Sequence, residues 1–304
     1  MKRVLITGGT GFVGKSMLDY RLRHAERRYG EWVVVSRNPE SFLTSFPRLS
    51  NMRGVRFVVG DILDEGVVAA HSDVAHVDAI IHAAALLSPY EDDDKILSTA
   101  IEGTKHVISL ARKLSCRRIL FTSSGAIYGP QNSTVEETAP CRPVTAYGKG
   151  KLMAEQLLVD SGLDVKLARC FAFVGPYLNR KIYYAIGNFI QNCLDGKPIV
   201  INGDGTPLRS YLYADDLVEW LFAILERGET GRPYNVGSDR AISIRELAEK
   251  VRIVLGTRNE IKILGHPTGG KPSVYVPNIE RVKHELGLQI KYDLRDAIYK
   301  SVES

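Results

Sequence analysis

Three residues in the middle of the chain have the chemistry to move a proton: Ser124, Tyr147 and Lys151. Tyr147 and Lys151 are four residues apart, so on a helix their side chains share one face. A phenol has an unperturbed pKa near 10, and an ammonium beside it favours the phenolate. Lowering that pKa to ~7 takes ~4 kcal/mol of electrostatic stabilisation. Tyr147 could then exchange a proton with a carbinol or ketone at neutral pH, while the Ser124 hydroxyl orients the same oxygen.

A glycine-rich segment near the start of the chain, Thr7–Gly14, is typical of a nucleotide-binding turn. Its spacing, Gly-x-Gly-x-x-Gly from Gly9 to Gly14, matches the dinucleotide fingerprint. In that fingerprint the glycines let backbone N–H groups approach a pyrophosphate at a helix N-terminus. We expect the following residues of this segment to bind a dinucleotide cofactor: Gly8, Thr10, Gly11, Phe12, Val13 and Gly14.

Residues 9–16 of the same segment also match a phosphate loop, because Gly14 is followed by Lys15 and Ser16. A phosphate-loop NTPase would need a magnesium-binding acid at the end of another strand, and Asp61 is available for that role. This alternative leaves the acid–base residues, Tyr147 among them, without a function. We therefore favour the dinucleotide interpretation.

The second predicted strand, Trp32–Val35, ends in Ser36 and Arg37 rather than in an acid. A carboxylate at this position holds the adenosine ribose of NAD, whereas an Arg can bind the 2′-phosphate of NADP. Such a contact is worth ~1.5–3 kcal/mol. NADP(H) is therefore the favoured cofactor and NAD(H) remains possible, because Arg37 could also be a solvated turn residue.

Short apolar runs alternate with helical stretches through the first half of the chain, which predicts an α/β fold with a Rossmann-type, doubly wound parallel sheet. The predicted buried strands are Val4–Ile6, Trp32–Val35, Val55–Val59, Ala79–Ile81, Ile119–Phe121 and Val165–Leu167. The predicted helices are Asp93–Leu114, Ala146–Ser161, Tyr183–Leu194, Ala214–Arg227 and Ser243–Leu255. We expect residues 1–170 to form the dinucleotide-binding domain. Residues 171–304 would form a smaller C-terminal substrate-binding lobe, from which about 205–237 return to the Rossmann domain.

Further motifs occur in the order typical of one known family. They are Gly60-Asp61-Ile62, His82-Ala83-Ala84-Ala85, Gly103-Thr104, Ser123-Ser124, Arg169, Gly175-Pro176, Gly203–Thr206 with Arg209, Tyr213 with Asp215-Asp216, and Tyr234–Gly237. With the glycine segment and the Tyr147/Lys151 pair, they resemble the extended short-chain dehydrogenase/reductases, a family of NAD(P)-dependent nucleotide-sugar epimerases, dehydratases and reductases. The resemblance covers nearly the whole chain.

The resemblance implies a role for each matching residue. Ser124, Tyr147 and Lys151 would be catalytic, with Ser124 also touching the substrate, and Tyr147 and Lys151 would also contact the cofactor, Lys151 at its nicotinamide ribose. Asp61 and Ile62 would flank the adenine, although Asp61 could instead cap a helix. The remaining implied contacts are Ala83, Ala84 and Ala85 to the cofactor, and Asn188, Phe189 and Arg209 to a nucleotide-sugar substrate. Phe189 could equally be a core residue, and Arg209 a surface ion pair.

The chain departs from the family pattern at three places. Ala100 and Ala172 stand where the family usually has Asn, and the second change puts one usual diphosphate contact in doubt. Gly125 and Ala126 stand where 4,6-dehydratases of the family carry an Asp-Glu pair. Without an acid and a base there, elimination of water has no evident catalyst, so we reject the dehydratase interpretation.

Two enzyme hypotheses remain, with reduction favoured. One is NADPH-dependent reduction of a nucleotide-linked 4-keto-(6-deoxy)sugar, with hydride delivered to carbon 4 and Tyr147 as proton donor. The alternative is a nucleotide-sugar 4-epimerase that holds NAD tightly. A non-enzymatic dinucleotide sensor on the same fold is a third hypothesis, which the intact Ser124, Tyr147 and Lys151 disfavour.

Composition and charge bear on the partners, metal binding and location of the protein. The net charge of +5 is spread along the chain without a dense basic tract, so we expect no nucleic-acid partner. The four cysteines are scattered and the histidines form no ligand cluster, so we assign no metal and expect a reducing cytoplasm. The first residues read as a strand and no apolar run reaches ~18 residues, which predicts neither a secretory signal nor a membrane span.

Assembly as a homodimer is expected from the family resemblance. Its members commonly pack two helices from each subunit together, represented here by Asp93–Leu114 and Ala146–Ser161. The apolar residues that we expect to serve this isologous interface are Ile96, Ala100, Val107, Leu110, Leu152, Leu157 and Leu158.

Overall fold

The computed structural model describes residues 3–24, 30–50, 52–64, 76–86, 91–180, 184–266 and 269–303, which fold into two compact units. Unit 1 comprises Met1–Gly129, Cys141–Arg169 and Leu221–Tyr234. Unit 2 comprises Pro130–Pro140, Cys170–Trp220 and Asn235–Ser304. The sequence predicted a division after residue 170 and a return of about 205–237. The segment that returns is shorter, Leu221–Tyr234, and residues 130–140 belong to unit 2.

The strands are β1 (Arg3–Thr7), β2 (Glu31–Ser36), β3 (Val55–Val59), β4 (Ala79–His82), β5 (Arg118–Ser124), β6 (Asp164–Cys170), β7 (Phe173–Val174), β8 (Ile199–Ile201), β9 (Leu208–Arg209), β10 (Leu212–Tyr213), β11 (Pro233–Val236), β12 (Ile242–Ser243), β13 (Ile261–Ile263) and β14 (Val274–Tyr275). The α-helices are α1 (Phe12–Arg23), α2 (Pro39–Ser45), α3 (Asp93–Lys113), α4 (Ala146–Asp160), α5 (Ala185–Leu194), α6 (Ala214–Arg227), α7 (Ile244–Val254), α8 (Glu280–Leu286) and α9 (Leu294–Lys300). Residue 183, where the third of the predicted helices was expected to begin, lies outside the described residues.

The main sheet has seven parallel strands in the order β11-β6-β5-β4-β1-β2-β3. The order reverses at β1, because β2 and β3 lie on one side of it and β4 on the other. The central strands are almost wholly apolar and buried, as parallel strands covered on both faces must be. The predicted doubly wound α/β fold is therefore confirmed, and the carboxyl ends of β1 and β4 meet where ligands bind in such sheets.

Helices α3 and α4 pack against each other and against the sheet. The apolar residues expected at a dimer interface lie largely inside the subunit, since Val107 is 2% exposed and Leu158 is 0% exposed. Ile96 and Leu110 are buried as well. That expectation was wrong for these residues, because Val107, Leu110 and Leu158 belong to the core cluster against the sheet and Ile96 lines a pocket of unit 1.

The returning segment of unit 1 includes the last part of α6, whose Phe222 contacts Trp32 of β2 with ring centroids 5.8 Å apart. In unit 2, α5, α7 and α9 share a second hydrophobic cluster. Helix α7 begins with a capping box, in which the Ser243 hydroxyl accepts the N–H of Glu246 and the Glu246 carboxylate accepts the N–H of Ser243. None of the helices within the described ranges is long and apolar enough to cross a membrane.

Candidate functional site

The glycine segment forms a tight turn from β1 into α1, in which Gly11 donates its N–H to the carbonyl of Gly8 at 3.0 Å. Gly8 has a φ of +72°, and a Cβ there would lie 2.5 Å from the backbone of Ala83. A Cβ on Gly14 would lie 2.2 Å from Cα of Gly9. Only glycine fits at these positions, and Gly11, which precedes the first residue of α1, has no side chain to cap the helix. The segment therefore has the form of a pyrophosphate cradle.

The contacts of Lys15 and Ser16 disfavour the phosphate-loop alternative. The Ser16 hydroxyl donates to the carbonyl of Phe12 at 2.8 Å and is buried, so it is engaged by its own helix. The Lys15 ammonium lies 4.7 Å from the centre of the Phe46 ring, and burial lowers its pKa. In a phosphate loop both groups would instead serve the phosphates and their magnesium ion.

At the end of β2, Ser36 is buried and Arg37 is exposed, and Asn38 caps α2 by accepting the N–H of Ser41 at 3.0 Å. Beyond β3, the Asp61 carboxylate accepts the N–H of Leu63 at 3.0 Å, a local contact within a turn. Asp61 and Ile62 also line a pocket, together with Thr7, Val35, Asp64, His106, Val107 and Leu110. The contacts of Arg37, Asp61 and Ile62 with a bound cofactor stay predictions.

The acid–base residues lie at the end of β5 and the start of α4. Ser124 is the last residue of β5, and its hydroxyl accepts the N–H of Ala126 at 3.1 Å, which starts a 3-10 helix over Gly125–Tyr128. Thr145 caps α4 by accepting the N–H of Gly148 at 3.1 Å, so Tyr147 lies in the first turn. Lys151 lies one turn later and is 4% exposed.

The Lys151 ammonium is held in place by three neighbours. It donates to the carbonyl of Thr122 on β5 at 2.7 Å. It lies 4.6 Å from the ring centre of Phe121 and 5.8 Å from that of Tyr147. A buried cation this close to a phenol favours ionisation of the phenol, and the catalytic roles of Tyr147 and Lys151 stay predictions.

Tyr147 and Lys151 open onto one pocket of unit 1 whose other lining residues include several that the sequence assigned to the cofactor. The pocket is lined by Ile62, His82, Ala84, Ala85, Leu86, Ile96, Thr99, Ala100, Thr104, Phe121, Tyr147, Lys151 and Ala154. Ala83 contributes its backbone beside Gly8. The glycine cradle and this pocket both belong to unit 1, and placement of a nicotinamide beside Tyr147 and Lys151 stays a prediction.

His82 is a site residue to which the sequence assigned no role. Its ring lies between two hydroxyls, with Nδ1 2.8 Å from Oγ1 of Thr7 and Nε2 3.3 Å from Oγ1 of Thr104. Burial, and then the charge of Lys151, lower the pKa of His82 to about 3, so its ring is neutral at physiological pH. The His-Ala-Ala-Ala motif was visible in the sequence, but the partners of this ring were not.

Unit 2 contains three of the four predicted substrate residues, and the fourth, Ser124, lies in unit 1. Asn188 is half-buried on α5, and the adjacent Phe189 is 3% exposed within the hydrophobic cluster of the unit. The Arg209 guanidinium donates to the carbonyls of Leu208 at 2.8 Å and Ser273 at 3.3 Å, so it is oriented by backbone groups. The Phe189 side chain is thus a core residue, and nucleotide contacts from Asn188, Phe189 and Arg209 remain predictions.

Within the described ranges, His, Cys, Asp and Glu side chains form no group of three that could hold a metal ion.

Comparison with known proteins agrees with this geometry. The chain is 30% identical over 312 residues to UDP-glucuronic acid decarboxylase 6 of Arabidopsis thaliana, covering 97% of this chain and 86% of that protein. A crystal structure of UDP-glucose 4-epimerase from Thermotoga maritima with UDP-glucose superposes with a TM-score of 0.86 at 24% identity, over 99% of this chain and 97% of that one. A dTDP-glucose 4,6-dehydratase from Streptomyces venezuelae with NAD bound superposes with a TM-score of 0.84 at 25% identity, over 98% and 95%.

The sequence profile of the NAD dependent epimerase/dehydratase family matches residues 4–237, from the first strand through the last strand of the main sheet. The predicted resemblance to extended short-chain dehydrogenase/reductases is confirmed, and the relatives are enzymes that modify nucleotide sugars. The chain belongs to the NAD dependent epimerase/dehydratase family.

Proposed function

We propose that this protein transfers a hydride and a proton at carbon 4 of a nucleotide-linked sugar, and that its net reaction is reduction of a 4-keto-(6-deoxy)sugar. The observation that carries the proposal is the pairing of Tyr147 with the buried Lys151 in a pocket that the cofactor residues also line. Family membership supports the coarser statement that the substrate is a nucleotide sugar.

Each residue of the acid–base group has a separate task. The nicotinamide, when bound, supplies or accepts the hydride. Lys151, oriented by the Thr122 carbonyl, favours the ionised form of Tyr147, so that Tyr147 can exchange a proton with the sugar oxygen near neutral pH. The Ser124 hydroxyl, at the tip of β5, orients that oxygen. Lys151 also has the position and charge to hold the nicotinamide ribose.

The choice of a simple reduction rests on the two residues directly after Ser124. Gly125 and Ala126 carry no acid or base, so the residues beside the catalytic hydroxyl offer no means of eliminating water. NADPH is the proposed reductant because Arg37 is exposed at the end of β2, where a 2′-phosphate would lie. A reductase must exchange its cofactor at every turnover, and a basic residue at an open ribose site suits that cycle.

A redox-neutral reaction is the second candidate, and the relatives favour it. Their names include UDP-glucuronic acid decarboxylases and UDP-glucose 4-epimerase, and several related structures contain NAD. In such a reaction Tyr147 would first accept a proton from the sugar and later return it, with no net consumption of cofactor. The catalytic residues would be the same.

The cofactor that purifies with the protein tests the choice. The protein is denatured after purification and the released nucleotides are identified by mass spectrometry. A reductase should release little cofactor and should bind added NADPH more tightly than NADH. Stoichiometric NAD in the released fraction would overturn the reductase proposal and leave the redox-neutral candidate.

A further inference from the structure

A buried ion pair joins β6 to α4, the helix that carries Tyr147 and Lys151 in unit 1. The Arg169 guanidinium of β6 donates to both carboxylate oxygens of Glu155 on α4, at 2.9 and 3.2 Å. Their side chains are 8% and 6% exposed. The third arm of the guanidinium donates to the Tyr128 hydroxyl at 3.0 Å. Burial alone would lower the pKa of Arg169, but the hydrogen bonds and charge of Glu155 raise it above its ordinary value, so the guanidinium stays protonated.

Both partners of Arg169 are joined to catalytic segments. Glu155 lies on α4 one turn after Lys151 and two turns after Tyr147. Tyr128 is the last residue of the 3-10 helix that the Ser124 hydroxyl caps. Arg169 therefore connects, through two side chains, the helix that carries Tyr147 and the turn that carries Ser124.

The geometry of this connection is restrictive. A guanidinium is planar and presents its N–H donors in a fixed fork, so the positions of three donors fix the directions of their acceptors. Two donors serve Glu155 and one serves Tyr128. A shift of α4 along the sheet would break at least one of these bonds in a site closed to water, where a lost bond is costly.

We propose that Arg169, with Glu155 and Tyr128, is a positioning device that sets the distance between the Ser124 hydroxyl and the Tyr147–Lys151 pair. The device touches neither substrate nor cofactor and acts through the two segments that it joins. This inference rests on the proposed function, because it assumes that Tyr147 is the proton-transfer group.

The test removes the hydrogen bond between Arg169 and Tyr128 and keeps the packing of the Tyr128 ring. Tyr128→Phe deletes only the hydroxyl that receives Arg169. Tyr234→Phe is the matched control, because Tyr234 is also buried in unit 1 and its hydroxyl accepts the N–H of Glu229 at 3.1 Å, away from both catalytic segments. In each variant the ionisation of Tyr147 is measured by the ultraviolet absorbance of the phenolate during a pH titration with NAD+ at saturation. Tyr147→Phe identifies the transition that belongs to Tyr147. Melting temperature and NAD+ affinity are measured on the same samples.

Tyr128→Phe should move the midpoint of Tyr147 ionisation up by roughly one pH unit, which corresponds to about a tenfold loss of preference for the phenolate. NAD+ affinity should stay unchanged, and Tyr234→Phe should leave the midpoint where it is. A Tyr128→Phe midpoint equal to that of the wild type would overturn the proposal, whatever its melting temperature. Equal shifts of the ionisation midpoint in Tyr128→Phe and Tyr234→Phe would also overturn it. The same holds if the absorbance transition near neutral pH disappears in Tyr128→Phe but persists in Tyr147→Phe. If no tyrosine ionises near neutral pH in the wild type, the proposed function itself fails and not merely the device.

Discussion

Replacing Lys151 by Met tests the electrostatic part of the account. The Lys151 ammonium lies 5.8 Å from the centre of the Tyr147 ring. At that separation and an effective dielectric constant of about 20, a unit charge is worth about 3 kcal/mol. Because Lys151 is 4% exposed, bulk solvent screens it little. With the ring-centre distance taken as the separation of the two charges, its removal should raise the pH at which Tyr147 ionises by about 2 units, or about 100-fold in the phenolate equilibrium.

The sign of the pH effect is set by the charge. Lys151 stabilises the phenolate, so in Lys151→Met the oxidation of a sugar hydroxyl should be slow at neutral pH and should recover as the pH rises. The assay is the pH dependence of turnover in the oxidation direction at saturating cofactor, beside the absorbance titration of the phenolate. Saturation matters because Lys151 is also expected to hold the nicotinamide ribose.

Lys149→Met is the matched control, because Lys149 is an exposed lysine on the same helix. It removes the same charge from α4 at a site that bulk water screens, and it should leave the pH profile unchanged. The reasoning fails if Lys151→Met keeps the wild-type profile. It also fails if both variants shift alike, since the effect would then come from net charge and not from the buried ammonium.

Three further predictions concern the proton donor, the cofactor and the assembly. Tyr147→Phe should keep the melting temperature and lower turnover by about 100-fold or more, whereas retained turnover would remove the proton-transfer role. Arg37→Ala should narrow the difference in binding free energy between NADPH and NADH by ~1.5–3 kcal/mol in calorimetry. Equal affinities in the wild type would contradict the 2′-phosphate argument. We also propose an isologous dimer through the outer face of α4, where Met153 is 46% and Val159 is 43% exposed. Met153→Glu should then yield monomers in light scattering, and a monomeric wild type would refute the dimer.

The regular elements were largely predictable from local patterns. Strand β3 and helix α6 begin and end at the predicted residues, because short β-branched runs and apolar positions at helical spacing are strong local signals. The four-residue spacing of Tyr147 and Lys151 likewise implied a shared helix face, and both side chains line one pocket.

Contacts between distant segments were not predictable in this way. Arg169 is 41 residues from Tyr128, and the partners of His82 are 75 and 22 residues away, so no local spacing reveals either network. The apolar faces of α3 and α4 led to a wrong expectation about which residues form a dimer interface. An apolar helix face can be buried inside its own subunit or against a second subunit, and both cases use the same residue types. For Phe189, the sequence pattern of an apolar side chain in a helix is compatible with both a core position and a ligand contact. Its burial in the structure identifies the core position.

The most direct test of the central claim offers the protein a nucleotide-linked 4-keto-6-deoxyhexose together with NADPH. We expect the absorbance of the reduced nicotinamide to fall in stoichiometric proportion to the product, with hydride at carbon 4, and we expect Tyr147→Phe to slow that fall by about 100-fold or more. Interconversion or decarboxylation of nucleotide sugars without net oxidation of added cofactor, and with NAD retained by the protein, would contradict 4-keto reduction.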